Sequence, residues 1–139
     1  MSLSIRNQFP GTVTGVTPGE VMATVKVHLD GGHDITAAIT LEAVRELGIA
    51  EGSAVRALVK STEVALATGP VDGLSIRNRI PGTVTGVSAG GAMAGVKVRT
   101  TGGELTAAIT RDAVDDLGLA PGSSVVALIK STEISLANA

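Results

Sequence analysis

The chain is one module written twice. Leu3 to Val27 aligns with Leu74 to Val98 at an offset of 71, and Ile35 to Ala67 aligns with Leu105 to Ala137 at an offset of 70. Of the 65 positions from Leu3 to Ala67, 41 are identical in the second copy. Copies this alike must fold alike, so the architecture is a pair of equivalent units. The single-residue gap falls where Asp30-Gly31-Gly32-His33 faces Thr101-Gly102-Gly103-Glu104, which reads as a hairpin turn. Thr68-Gly69-Pro70-Val71-Asp72-Gly73 reads as a linker, since two Gly and a Pro punctuate a boundary. The expected division is therefore module one at residues 1–67, linker 68–73 and module two at 74–139.

A module of about 65 residues buries only about 60% of its unfolded surface and is marginal alone. No Cys is present to staple it. The missing burial is expected to come from the other module or from other chains.

Hydrophobic residues make up 44% of the chain, but Phe9 is the sole aromatic, and Gly occurs 18 times. Val, Thr and Gly in this mixture suggest short strands and tight turns. In module one, Leu3-Asn7 reads as a short strand and Gly11-Val16 as a strand broken at Pro18-Gly19. Val21, Ala23, Val25, Val27 and Leu29 alternate onto one face, as do Ile35, Ala37 and Ile39. Thr40 then reads as the N-cap of a short helix over Leu41-Leu47 that stops at Gly48, with Thr110 and Gly118 as counterparts. Ser53-Leu66 reads as one last long strand with Lys60-Ser61-Thr62-Glu63 in its middle. The expected fold is all-β: two tandem OB-like five-stranded barrels, each with one short helix.

Little in the chain supports catalysis. His28 and His33 become Arg99 and Glu104 in module two, so they read as solvated turn residues. Ser61 and Ser131 have no repeated His to activate them. Glu63 and Glu133 read as strand-surface partners of a Lys or Arg. Gly11-Thr12-Val13-Thr14-Gly15-Val16 is not followed by the Gly-Lys-Ser/Thr of a phosphate loop, and reads as a bent barrel strand. A formal net charge of -2 and a single Phe argue against nucleic acid as a partner, because a groove for single strands needs cations and stacking platforms. The first residues lack a basic stretch followed by an apolar one, and no apolar run reaches membrane-spanning length, so a cytoplasmic protein with no membrane partner is expected.

What recurs intact is polar: Ser-Ile-Arg-Asn at 4–7 and 75–78, Thr-Ala-Ala-Ile-Thr at 36–40 and 106–110, and Lys-Ser-Thr at 60–62 and 130–132. Together these segments supply positive charge, amide and hydroxyl donors, and small residues that leave backbone N–H groups accessible. That is the donor set for a small oxyanion. The residues leave a plainer reading open, in which Arg6 and Lys60 lay their stems along the barrel surface and Asn7 holds a turn.

These same segments resemble the Mop module of the molybdenum-pterin binding proteins, or molbindins. "SIRNQFPGTV", "TAAIT", "AVRELGIAEGSAV" and "ALVKSTEVALA" carry the resemblance in module one, and "SIRNRIPGTV" through "ALIKSTEISLA" carry it in module two. The tandem layout is similar to the two-module molbindins. The resemblance implies a TOBE/OB-like fold, molybdate or tungstate as the bound ligand, no catalysis, and cytoplasmic storage or homeostasis of the oxyanion. It implies anions held between modules that assemble in sixes, hence a homotrimer of two-module chains.

Carried over by the resemblance, Ser4, Arg6, Asn7, Lys60 and Ser61 contribute to one set of sites, with Ser75, Arg77, Asn78, Lys130 and Ser131 as counterparts. Backbone N–H groups near Ala38 to Thr40 and Ala108 to Thr110 complete them. A second, axial type of site would use the turns at Gly19-Glu20-Val21 and Gly90-Gly91-Ala92. No organic cofactor is expected, because Phe9 becomes Ile80 and nothing else could stack a pterin ring. The alternative function is an oxyanion-sensing regulatory module acting through a separate partner protein.

Overall fold

The computed structural model of the chain describes residues 2–139. The first repeat forms β1 (Asn7–Pro18), β2 (Met22–Leu29), β3 (Asp34–Thr40), α1 (Leu41–Leu47), β4 (Ala54–Val59) and β5 (Ala65–Ala67). The second forms β6 (Asn78–Ala89), β7 (Met93–Thr100), β8 (Gly103–Thr110), α2 (Arg111–Leu117), β9 (Ser124–Ile129) and β10 (Ser135–Asn138).

The period-2 pattern sets the inner face. Ala23, Val25, Val27 and Leu29 of β2 are all buried, and their neighbours are exposed. Val21 was expected on that face, but it is 72% exposed, because it lies in the β1–β2 turn rather than in the strand. The helix signals hold. Thr40 Oγ1 accepts from the Ala43 N–H at 3.1 Å, and Gly48 ends α1 at φ 63°. Thr110 and Gly118 repeat both features on α2.

β1 serves two partners. It pairs with β4 over Asn7–Thr12 and with β2 over Gly11–Pro18, and a register shift between Val13 and Gly15 bends it between them. Where the partners overlap, a Cβ on Gly11 would stand 2.7 Å from the His28 carbonyl oxygen, so the strand can pass there only as glycine. Pairing starts at Asn7, and Leu3–Arg6 lies in a loop, not in the short strand expected from its sequence.

The last expected strand is also corrected. Ser53–Leu66 is not continuous: β4 ends at Val59, Ser61–Glu63 forms a single 3-10 turn, and β5 follows. That turn redirects the chain out of its own sheet. The strand orders are β10-β4-β1-β2-β3 and β5-β9-β6-β7-β8. Each sheet has five strands and one short helix, as expected, but its fifth strand comes from the other repeat. Leu136 of β10 stands opposite Ala57 of β4, and Leu66 of β5 opposite Ala127 of β9.

The exchange merges the interiors. One continuous cluster of buried side chains runs through both repeats. Val64 and Ile134, each 2% exposed, follow the two 3-10 turns and anchor the crossing strands. Burying a side chain of that size contributes about 1.5–3 kcal/mol. The hairpin tips also meet: a Cβ on Gly31 would lie 2.0 Å from Gly102 Cα, and His33 Nε2 lies 2.7 Å from Thr101 Oγ1. Side chains larger than hydrogen would hold these tips apart.

Candidate anion-binding site

Antiparallel pairing assembles the site. Asn7 stands opposite Val59 and Asn78 opposite Ile129. The residues just before each Asn therefore emerge from the sheet beside the residues just after Val59 or Ile129. Ser4, Ile5 and Arg6 share one hollow of about 300 Å³ with Lys60, Ser61 and Thr62. In the second repeat the same pairing brings Ile76 beside Lys130.

The third segment arrives from the other repeat. The Ser61–Glu63 turn packs on β8 and the Ser131–Glu133 turn packs on β3. Ala108–Thr110 of β8 line a second hollow of about 450 Å³ with Thr62, Ile76 and Lys130, and the carboxylates Glu63 and Glu133 also border it. β3 and β8 are edge strands, so alternate backbone groups point outward. Thr36 and Thr106 are outward-pointing positions, as their bonds to Asn78 and Asn7 show. Two and four residues on, Ala38, Thr40, Ala108 and Thr110 point the same way.

Donors are available in these hollows. Ser61 and Thr62 open a 3-10 turn, and the first N–H groups of a helix have no internal acceptor. Lys60 and Lys130 are exposed and take part in none of the three ion pairs among the described residues. Arg6 Nε donates to the Ser4 carbonyl at 3.1 Å and Arg77 Nε to the Ser75 carbonyl at 3.1 Å, which leaves most of each guanidinium free. The Ser61 and Ser131 hydroxyls are buried without a hydrogen-bond partner. A buried orphan of this kind costs about 1–3 kcal/mol.

The asparagines tie the two repeats together. Asn7 and Asn78 are each 2% exposed. Asn7 Nδ2 donates to Thr106 O at 2.8 Å and Asn7 Oδ1 accepts from Thr106 N at 2.8 Å. Asn78 Oδ1 accepts from Thr36 N at 2.8 Å, and its Nδ2 donates to Thr36 O at 2.9 Å and Ile129 O at 3.0 Å. Both amide hydrogens of Asn78 are thereby used. These side chains act as short strands, pairing with the edge of the other repeat and fixing β3 and β8 against the turns.

Glu20 and Val21 of the Gly19-Glu20-Val21 turn line another hollow, of about 400 Å³, with Thr40, Leu41, Glu42, Arg45 and Glu46. Three carboxylates against one guanidinium are poor surroundings for a dianion. In the second repeat, Arg111 Nη1 donates to the Gly90 carbonyl at 3.2 Å in the Gly90-Gly91-Ala92 turn. The expected pairing of Glu63 and Glu133 with a Lys or Arg is not made: neither is in an ion pair. His28 bonds Asp34 at 2.6 Å, and no cluster of three metal-ligating side chains occurs among the described residues. Among the described residues, no helix is long and apolar enough to cross a membrane. The role of Arg79, taken up below, was missed because only one repeat carries it.

Known proteins share this fold. The TOBE domain model matches residues 3–66 and again 74–136. The molybdenum-pterin-binding protein MopB of Rhodobacter capsulatus is 41% identical over 136 residues, covering 96% of this chain and 50% of that protein. The molybdenum transport protein ModE of Azotobacter vinelandii is 39% identical over 138 residues, covering 99% of this chain and 51% of that protein. The chain thus spans about half the length of these curated relatives. A solved structure of ModG, described as a cytoplasmic molybdate-binding protein and holding molybdate, superposes with a TM-score of 0.96 at 41% identity and full coverage of both chains. The chain belongs to the TOBE-domain family and carries the domain twice.

Proposed function

We propose that this chain binds molybdate, and tungstate in its place, as a store or buffer of the oxyanion in the cytoplasm. The observation that carries the reading is the pair of orphaned hydroxyls, Ser61 and Ser131, each at the same position of its repeat. A buried hydroxyl without a partner is costly unless a ligand completes it. The relatives named for molybdenum and the ModG structure holding molybdate point to the ligand.

The proposed site is made of donors. Lys60, the Arg6 guanidinium, the Ser4 and Ser61 hydroxyls and the backbone N–H groups of Ser61, Thr62 and the facing β8 edge can all point hydrogens inward. A dianion leaving water needs each oxygen hydrogen-bonded, because an unpaired buried charge is prohibitively costly. Hydrogen phosphate would bring a proton that must take a serine or threonine hydroxyl as its acceptor, at the expense of that hydroxyl's own donation, so the site favours an unprotonated dianion. Sulfate carries no proton, so only its smaller size can exclude it. Asn7 and Asn78 serve by positioning the edge strands. The axial turns at Gly19–Val21 and Gly90–Ala92 are weaker candidates, the first because of its acidic surroundings.

Exposure supports an assembly of chains. The accessible surface of 7406 Å² exceeds the roughly 6,600 Å² expected for a monomer of this mass. A homotrimer would set six modules around closed sites. Calorimetry should show binding of molybdate and tungstate and negligible heat with phosphate. At a hundred times the dissociation constant, molybdate should stabilise the fold by about 2.7 kcal/mol. Light scattering should give three chain masses. No heat and no melting shift with molybdate would refute the reading, and a monomer that binds molybdate tightly would refute the assembly.

A further inference from the structure

The two loops that precede the long strands are held in unlike ways. In the second repeat, Arg79 forks onto three backbone carbonyls. Its Nη1 donates to Val71 O at 2.8 Å, Nη2 to Leu74 O at 2.7 Å and Nε to Ile76 O at 3.0 Å. With Arg77 Nε on Ser75 O at 3.1 Å, the consecutive carbonyls of Leu74, Ser75 and Ile76 all face guanidinium groups.

No peptide bond among the described residues is cis, so each N–H points opposite the carbonyl of its own peptide unit. The N–H groups of Ser75, Ile76 and Arg77 are therefore turned away from the guanidinium groups, and none of them donates to a protein acceptor among the described residues. The clamp does two things for an anion. It removes carbonyl oxygens that would repel it, and it fixes a row of donors that would otherwise have to be ordered on binding.

The first repeat has Gln8 where the second has Arg79. Gln8 Nε2 reaches one carbonyl, Ile5 O at 3.1 Å, and its Oε1 is occupied by Arg56 Nη1 at 3.1 Å. The Leu3 carbonyl has a single long bond of 3.4 Å from Arg6 Nη2. Gln8 and Arg6 together cover the Leu3, Ser4 and Ile5 carbonyls, but with one long bond in place of the 2.7 Å contact that Arg79 makes to Leu74 O.

We propose that Arg79 is a positioning residue that preorganises the Leu74–Arg77 loop and makes the second-repeat oxyanion site tighter than the first. The inference rests on the reading that these loops hold an oxyanion. Its test uses the full chain in its native assembly. In a Ser61→Ala background, molybdate binding reports the second-repeat site; in a Ser131→Ala background, it reports the first. Calorimetry should give the tighter constant in the first background.

Arg79→Gln should weaken that constant roughly tenfold, the lower end of what losing an outer-shell partner costs, and leave the constant in the second background unchanged. Arg79→Lys should not restore it, because an ammonium keeps the charge but cannot span three carbonyls. Equal loss in both backgrounds, no loss, or full rescue by Lys would each overturn the inference, while molybdate binding itself stands. Absence of molybdate heat in the unsubstituted protein would instead remove the oxyanion reading on which the inference rests.

Discussion

Asn78→Ala should destabilise the protein by about 3 kcal/mol or more, because it removes three hydrogen bonds and strands the Thr36 N–H and C=O and the Ile129 C=O. That is a large share of the 5–15 kcal/mol typical of a folded domain. Asn7→Ala should cost less, roughly 2 kcal/mol, because two bonds are lost. Asn78→Asp gives the sharper test of the clamp. Its carboxylate can accept from Thr36 N–H but faces the Thr36 and Ile129 carbonyl oxygens with no hydrogen to offer. A buried unpaired charge should make Asp at least as damaging as Ala. Thermal melts at one fixed protein concentration would decide this, with a loss under about 1 kcal/mol for Asn78→Ala ruling out the clamp as a main tie between repeats.

The Ser61→Ala and Ser131→Ala pair should behave in the opposite sense. Both hydroxyls are buried without partners. Removing them relieves a desolvation cost, so the anion-free protein should melt no lower, and up to about 1 kcal/mol higher. Molybdate affinity should fall at each altered site by roughly ten- to a hundredfold, since a hydrogen bond to a charged group is worth about 1.5–3 kcal/mol. Stability and binding moving in opposite directions is the signature of a polar group kept for a ligand. A double variant that melts lower without anion, or binds molybdate as well as the parent, would show that these hydroxyls have a structural use.

How far the sequence could be read depends on where the information lies. Thr40, Gly48 and the alternating residues of β2 and β3 act on near neighbours, and each was legible. So was the juxtaposition of Ser4–Arg6 with Lys60–Thr62, since both were recognisable as one repeated set. The exchange of β5 and β10 was not legible, for a physical reason. Leu66-Ala67 and Leu136-Ala137 are identical, and the Ala-Leu pairs at 127–128 and 57–58 that face Ala65-Leu66 and Ser135-Leu136 are identical too. A strand of three or four residues gains the same pairing in either sheet, so the choice is made by the 3-10 turn that aims it. The bond of the Asn7 amide across the repeats was not legible, because its partner, Thr106, lies 99 residues away. Arg79 escaped notice because attention to what repeats hides what differs.

A tetrahedral oxyanion should complete the Ser61 and Ser131 hydroxyls. Crystals grown with molybdate, with data collected at the molybdenum absorption edge, test it most directly. Anomalous peaks are expected in both repeats, each with an anion oxygen about 2.5–3.0 Å from Ser61 Oγ or Ser131 Oγ. Peaks confined to other surfaces, with both hydroxyls bonded to water instead, would contradict it.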